Sequence, residues 1–279
     1  MLIREPLDPH TMTLPACVDL NADLGESFGA WTMGDDDAML ALVSSANVAC
    51  GFHAGDPLVM RRTVQRARAH GVGLGAHPSF PDLQGFGRRR MDLAPAELEA
   101  LLIYQIGALQ ALAAAEGTRV RHVKPHGALS NLACADDALA DTVARAVRAL
   151  DRELILLAPA CSALARAGER AGLAVAHEVF ADRAYQPDGQ LVPRRQPGAL
   201  IHGADACWRQ VQRLLDAGAL VAVDGTRLPT PIHSVCVHGD GADAVAAARA
   251  IRAGLAAAGV AVRPFSAPPA AASRPGAAP

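Results

Sequence analysis

The sequence predicts a parallel β/α barrel whose chemistry sits at the carboxyl ends of its strands. Three observations predict it. Short β-rich runs alternate with helix-length amphipathic stretches along the chain, the pattern of repeated βαβ units. The 279 residues are 51% hydrophobic, enough for one large core of barrel size. Polar residues gather where the β-rich runs end, which is where barrels place their active sites.

The elements follow in order. Strands are predicted at 16–24, 44–50, 72–78, 121–126, 154–159, 174–180 and 234–240, and helices at 34–43, 57–70, 95–116, 136–149, 161–171, 204–218 and 242–258. Pro57 and Pro95 fit first helical turns, because a proline there gives up an N–H that has no helical partner anyway. Gly71, Gly117, Gly172, Gly218 and Gly259 each follow a helical run, where a left-handed cap ends the helix. The count is seven strands, with 221–225 (VAVDG) as a candidate extra one. Segment 181–203 is long and rich in Pro, Gly and charge, the composition of a functional lid or a disordered loop. Residues 16–265 read as a single domain. Residues 1–15 form a loose, proline-broken extension, and 266–279 a disordered Ala/Pro tail.

Composition excludes several classes. A net charge of −2 leaves no basic stripe for nucleic acid. No apolar run approaches a membrane span of about 20 residues, and the N-terminus lacks the apolar stretch of a signal peptide. Six cysteines without a C-x-x-C pair read as reduced, buried thiols, and the chain is expected to be cytoplasmic. It contains neither a phosphate-binding G-x-x-x-x-G-K-[ST] loop nor a G-x-S-x-G nucleophile elbow.

The candidate site residues come from the strand ends. Asp19, Asn21, Asp23 and Glu26 lie in DLNADLGE, and Asn47, His53 and Asp56 in ANVACGFHAGDP. His77, Asp82, Arg88 and Arg89 follow the third strand; Lys124, His126 and Asn131 the fourth; Glu178, Asp182 and Arg183 the sixth; His238 and Asp240 the seventh. The fifth strand ends in the apolar LAPAC. Period two puts residues 19, 21 and 23 on one face. Two carboxylates that close repel, which is expected to raise the pKa of at least one and suit it to act as a base on water. Lys124 is the single lysine beside 25 arginines, as expected of a position that needs a compact ammonium. The His–carboxylate set suits either a divalent metal or metal-free acid–base chemistry, and spacing leaves both open. His10, His70, His122, His202 and His233 are assigned no role.

Taken together, DLNADLGE, ANVACGFHAGDP, GAHPSFPDLQGFGRR, VKPHGALSN, EVFADRAY and CVHGD resemble the LamB/YcsF family over about residues 17–260. The resemblance implies a seven-stranded barrel related to glycoside hydrolase and polysaccharide deacetylase barrels. It implies a bacterial 5-oxoprolinase subunit, opening 5-oxoproline to glutamate with ATP as co-substrate (and Mg2+). It also implies two partner subunits similar to allophanate-hydrolase components. On that reading Asp19, Asp23, His53, Lys124 and His126 are catalytic. Asn21, Glu26, Asn47, Asp56, His77, Arg88, Asn131, Glu178, Arg183 and His238 bind substrate. Two alternatives stand beside it: a stand-alone metal-dependent amide or lactam hydrolase, and a non-catalytic subunit that only positions its partners.

Overall fold

A computed structural model describes residues 14–238 and 243–264. Seven parallel strands close on themselves: β1 (Cys17–Leu24), β2 (Ser45–Ala49), β3 (Gly73–His77), β4 (Val120–Val123), β5 (Ile155–Pro159), β6 (Ala174–Phe180) and, after a β7–β8 hairpin, β9 (Ser234–Cys236). Ser234 of β9 pairs with Glu178 of β6 on one side and Asp19 of β1 on the other, which shuts the barrel. The predicted barrel of seven strands is therefore the observed one.

The helices are α1 (Asp36–Leu40), α2 (Pro57–Ala69), α3 (Pro95–Ala115), α4 (Gly127–Ala135), α5 (Asp137–Leu150), α6 (Ala163–Arg170), α7 (Ala204–Ala217) and α8 (Ala244–Ala257). Helix α4 carries no sequence signal of its own: it begins on a glycine, and the side chain of its N-cap, His126, makes no capping bond. The candidate strand at 221–225 is instead the turn and edge of a hairpin outside the barrel, β7 (Ala219–Val221) with β8 (Arg227–Pro229). A short β10 (Ala261–Val262) extends the foot of β1.

The two faces of the strands carry different cores. Leu20, Ala22, Leu24, Val48, Leu74, Val123, Leu156, Val179 and Val235 belong to the main core shared with the helices. The alternate residues form the barrel interior, where Ile155, Leu157 and Ala176 make a small apolar wedge of their own. Most of the remaining inward-facing residues near β1 are polar, and this wedge from the fifth and sixth strands fills the side that the polar network leaves.

Contrary to the expectation from sequence, helix α3 is by length and composition apolar enough to cross a membrane. Its Leu98, Leu102, Ile106, Leu109 and Ala113 recur at helical spacing and are buried against the barrel. Segment 181–203 is ordered rather than disordered. It pairs Arg183 with Leu200 and Tyr185 with Leu191, and packs Ala184, Val192 and Ala199 into a cluster of its own. Cys50, Cys134, Cys207 and Cys236 are buried as expected, whereas Cys17 is exposed. Asp240, most of the N-terminal extension and the tail lie outside the described residues.

Candidate active site

The polar interior is layered along β1. Asp19 lies lowest, enclosed by hydroxyls: Ser44 and Ser45 donate to its Oδ1 at 2.7 and 2.6 Å, and Ser234 to its Oδ2 at 2.5 Å. Burial pushes its carboxyl up to about 6, against the pull of those serines. Asn21 forms the middle layer, donating to Glu178 Oε1 at 3.0 Å and Ser234 Oγ at 2.7 Å. It accepts from Asn47 Nδ2 at 2.7 Å and Lys124 Nζ at 3.2 Å.

Asp23 is the top layer. Its Oδ1 accepts from Asn47 Nδ2 at 2.9 Å and Lys124 Nζ at 3.0 Å, and its Oδ2 lies 3.3 Å from His77 Nε2. Burial alone would raise this carboxyl, but His77 and Lys124 overcome it and hold the group well below the usual range. The expected upward shift thus falls on Asp19, with burial rather than Asp23 as its main cause. The residue nearer the mouth shifts the other way.

Lys124 stands just past β4 and turns its ammonium into the barrel, 2.9 Å from Glu178 Oε1 and 3.0 Å from Cys236 Sγ. Burial opposes the charge, but Asp23 and Glu178 keep Lys124 well above its ordinary range. Burial likewise holds Cys236 as a thiol. A compact ammonium with freely rotating donors suits a point met by two carboxylates and a sulfur.

His122, assigned no role from sequence, is buried inside the barrel and donates from Nε2 to Asn47 Oδ1 at 2.7 Å. Burial, then Lys124, lowers it to about 3. Gly75 of β3 makes room for it: a Cβ there would fall 2.0 Å from His122 Nε2. A histidine behind a glycine on the neighbouring strand was the only trace in the sequence.

Above this floor opens a cavity of about 510 Å³ lined by Asp23, His77, Lys124, His126, Asn131 and His238, and by Arg88, Arg183, Arg194 and Arg195. Arg194 and Arg195 ride on the ordered 181–203 segment and were missed. The adjacent arginines in PRRQPG were the available signal. Arg183 donates to Val192 O at 2.8 Å while lining the cavity, and burial lowers its guanidinium to about 10. His238 Nε2 accepts from Arg194 at 3.2 Å, so its Nδ1 donates to Asp182 Oδ2 at 2.7 Å. Asn131 reaches the cavity from α4.

Six sequence candidates are bound into the scaffold instead. Asp56 caps α2, accepting from Leu58 and Val59 at 2.8 and 2.9 Å and from Gly29 at 2.8 Å. Those backbone bonds lower its pKa. Asp82 organises the 82–89 turn by accepting from Gly85 and Arg89. Asp19, Asn21, Asn47 and Glu178 lie beneath the cavity rather than on its wall.

Glu26, His53, His77 and His126 form a compact group beside Asp23. His77 Nδ1 donates to Lys124 O at 2.6 Å, and His126 Nε2 to Phe86 O at 2.9 Å. Their remaining nitrogens face each other at 2.9 Å. The His53 ring stacks on His126 with centroids 4.0 Å apart. Gly87 permits this packing, since a Cβ there would come within 2.9 Å of both His53 and His126. Burial first, then neighbouring positive charge, holds both His53 and His126 well below the usual imidazole range.

A sequence model of the LamB/YcsF family matches residues 18–270. The chain belongs to the LamB/YcsF family. Two relatives in the family are 5-oxoprolinase subunits, one from Azoarcus sp. and one from Methylococcus capsulatus. The first is 66% identical over 87% of this chain and 94% of its own length, the second 57% over 88% and 94%. Among solved structures, the lactam utilization protein of Thermus thermophilus superimposes with a TM-score of 0.84 at 46% identity, covering 89% of this chain and all of its own. The LamB/YcsF motifs are thus the strand-end segments that form the polar core and the cavity wall described above.

Proposed function

We propose that this chain is the barrel subunit of a 5-oxoprolinase, opening the lactam ring of 5-oxoproline to give glutamate. The observation that carries the proposal is one ionised carboxylate, Asp23, set between His77 and Lys124 on the floor of a cavity walled by Arg88, Arg183, Arg194 and Arg195. The substrate is a small anion with a neutral cyclic amide. The arginine wall suits its carboxylate and any phosphoryl group, since guanidinium forks match both. The names of the relatives support the same substrate class.

A five-membered lactam is a stabilised amide that closes readily by proximity, so opening it needs driving. ATP supplies that drive: phosphoryl transfer to the amide oxygen makes the ring carbon electrophilic. Asp23 takes a proton from the attacking water and passes one to the departing ring nitrogen as the C–N bond breaks. A second water releases phosphate from the resulting acyl phosphate to leave glutamate. Lys124 keeps Asp23 ionised, in the role of a fixed positive charge in a dry site. Two further subunits, similar to allophanate-hydrolase components, complete the enzyme.

The test is glutamate release from 5-oxoproline by the purified chain with its two partner subunits, omitting ATP and each subunit in turn. Glutamate only in the complete mixture supports the proposal. Glutamate from this chain alone, without ATP, supports instead a stand-alone hydrolase, the reading that the His-rich group beside Asp23 favours. An assembled but inactive complex sinks both for this substrate.

A further inference from the structure

We infer that Glu26, His53, His77 and His126 form a binding site for one divalent transition-metal ion at the cavity floor. Each ligand follows the carboxyl end of a successive strand: Glu26 after β1, His53 after β2, His77 at the end of β3 and His126 after β4. One donor atom from each lies within 4.8 Å of all the others.

Three features point to a cation. The first is tautomer control. A backbone carbonyl can only accept, so Lys124 O fixes the proton of His77 on Nδ1, and Phe86 O fixes that of His126 on Nε2. As neutral ligands, His77 Nε2 and His126 Nδ1 are both lone-pair nitrogens facing each other at 2.9 Å; with no metal bound, a proton on His77 fills that gap and carries the charge that lowers Asp23. Two lone pairs that close repel unless something positive lies between them. Carbonyls that orient metal-ligating histidines from behind are the usual supporting shell of such sites.

The second is His53. Its ring is 0% exposed, yet neither Nδ1 nor Nε2 has a hydrogen-bond partner. A buried polar group in that state is left desolvated without compensation, and a metal bond removes that cost. A proton shared between His77 and His126 would explain their contact but leave His53 unexplained.

The third is spacing. His53 Nε2 is 3.9 Å and His126 Nδ1 3.8 Å from Glu26 Oε1. Ligands bound at about 2.0–2.2 Å stand roughly 3–4 Å from one another, so these pairs are spaced as ligands of one ion would be. Three imidazoles with one carboxylate suit zinc, cobalt, iron or manganese rather than calcium or magnesium. The neighbouring group of Asp23, Cys236 and His238 is no competitor, because the Lys124 ammonium occupies Asp23 and Cys236 and Arg194 occupies His238. The metal would polarise a carbonyl or acidify a water next to Asp23.

The inference is independent of the 5-oxoproline reading, and its test measures binding rather than turnover. The full chain is stripped with chelator, dialysed and titrated with Zn2+ by calorimetry and with Co2+ by visible absorption. One equivalent should bind, and X-ray absorption at the metal edge should show imidazole nitrogen and no sulfur. Glu26→Gln and His53→Asn should each weaken binding by at least about 100-fold, more than outer-shell changes usually do, with circular dichroism unchanged for the near-isosteric Glu26→Gln. Absence of a saturable site overturns the inference, as does affinity indifferent to both substitutions or a sulfur shell from Cys236. A chain that binds metal but yields no glutamate in the complete mixture keeps this site and sinks the oxoprolinase reading; the reverse result does the opposite.

Discussion

The Lys124 ammonium lies 2.9 Å from the Glu178 carboxylate inside the barrel, with side-chain exposures of 5% and 0%. Asp23 lies 3.0 Å away on the same ammonium, so one buried cation serves two buried carboxylates. Removing it leaves Glu178 without its cation and Asp23 with His77 alone. Lys124→Met should destabilise the fold by about 3–5 kcal/mol, the range for breaking a buried pair from one side. It should also abolish turnover. Chemical denaturation and the glutamate assay check the two effects, and a variant of wild-type stability would refute the pairing.

Asp23→Asn keeps the shape of the top layer and removes the proton acceptor. The expected loss in kcat is about 100- to 10,000-fold, the range for general base catalysis, with KM little changed. A KM effect with kcat intact would reassign Asp23 to substrate binding.

Asp19 should leave a signature in the pH dependence of stability. Its folded pKa is raised from 3.8 to about 6, so its contribution is fully present below pH 3.8 and is lost as pH rises through about 6. Two pKa units correspond to about 3 kcal/mol. Urea unfolding of wild type and Asp19→Asn from pH 4 to pH 7 isolates the term. The difference should shift in favour of the variant across that window, and a flat difference would mean that Asp19 is ionised without cost.

Gly75 and His122 are coupled by contact, because a methyl at Gly75 overlaps the imidazole. Gly75→Ala should lower the melting temperature by several degrees, corresponding to the roughly 1–3 kcal/mol typical of overpacking. Adding His122→Ala should recover part of that loss, and additive effects in the double-mutant cycle would deny the contact.

The arginine wall should act on binding. Arg194 lines the cavity and donates to His238, so Arg194→Ala should raise KM for 5-oxoproline about tenfold, equivalent to about 1.4 kcal/mol. The wild-type KM should also rise with salt, as expected where guanidinium charges hold an anion at an open cavity. A change confined to kcat would count against this role.

Much of the molecule was legible in its sequence. The alternation of strand and helix signals determined the seven strands and their parallel order with intervening helices, because period two and period 3.6 are properties of the chain itself. The same period placed Asp19, Asn21 and Asp23 on one face, and the excess of arginine over lysine marked Lys124. Neighbours across strands were another matter. They depend on register and on closure through β9, which no local pattern encodes. Only the tertiary structure therefore set Lys124 against Glu178, brought Glu26, His53, His77 and His126 to one point, and folded Arg194 and Arg195 over the mouth. Depth decided the rest: two aspartates four residues apart on one strand titrate in opposite directions, since one is enclosed by hydroxyls and the other is met by positive charge.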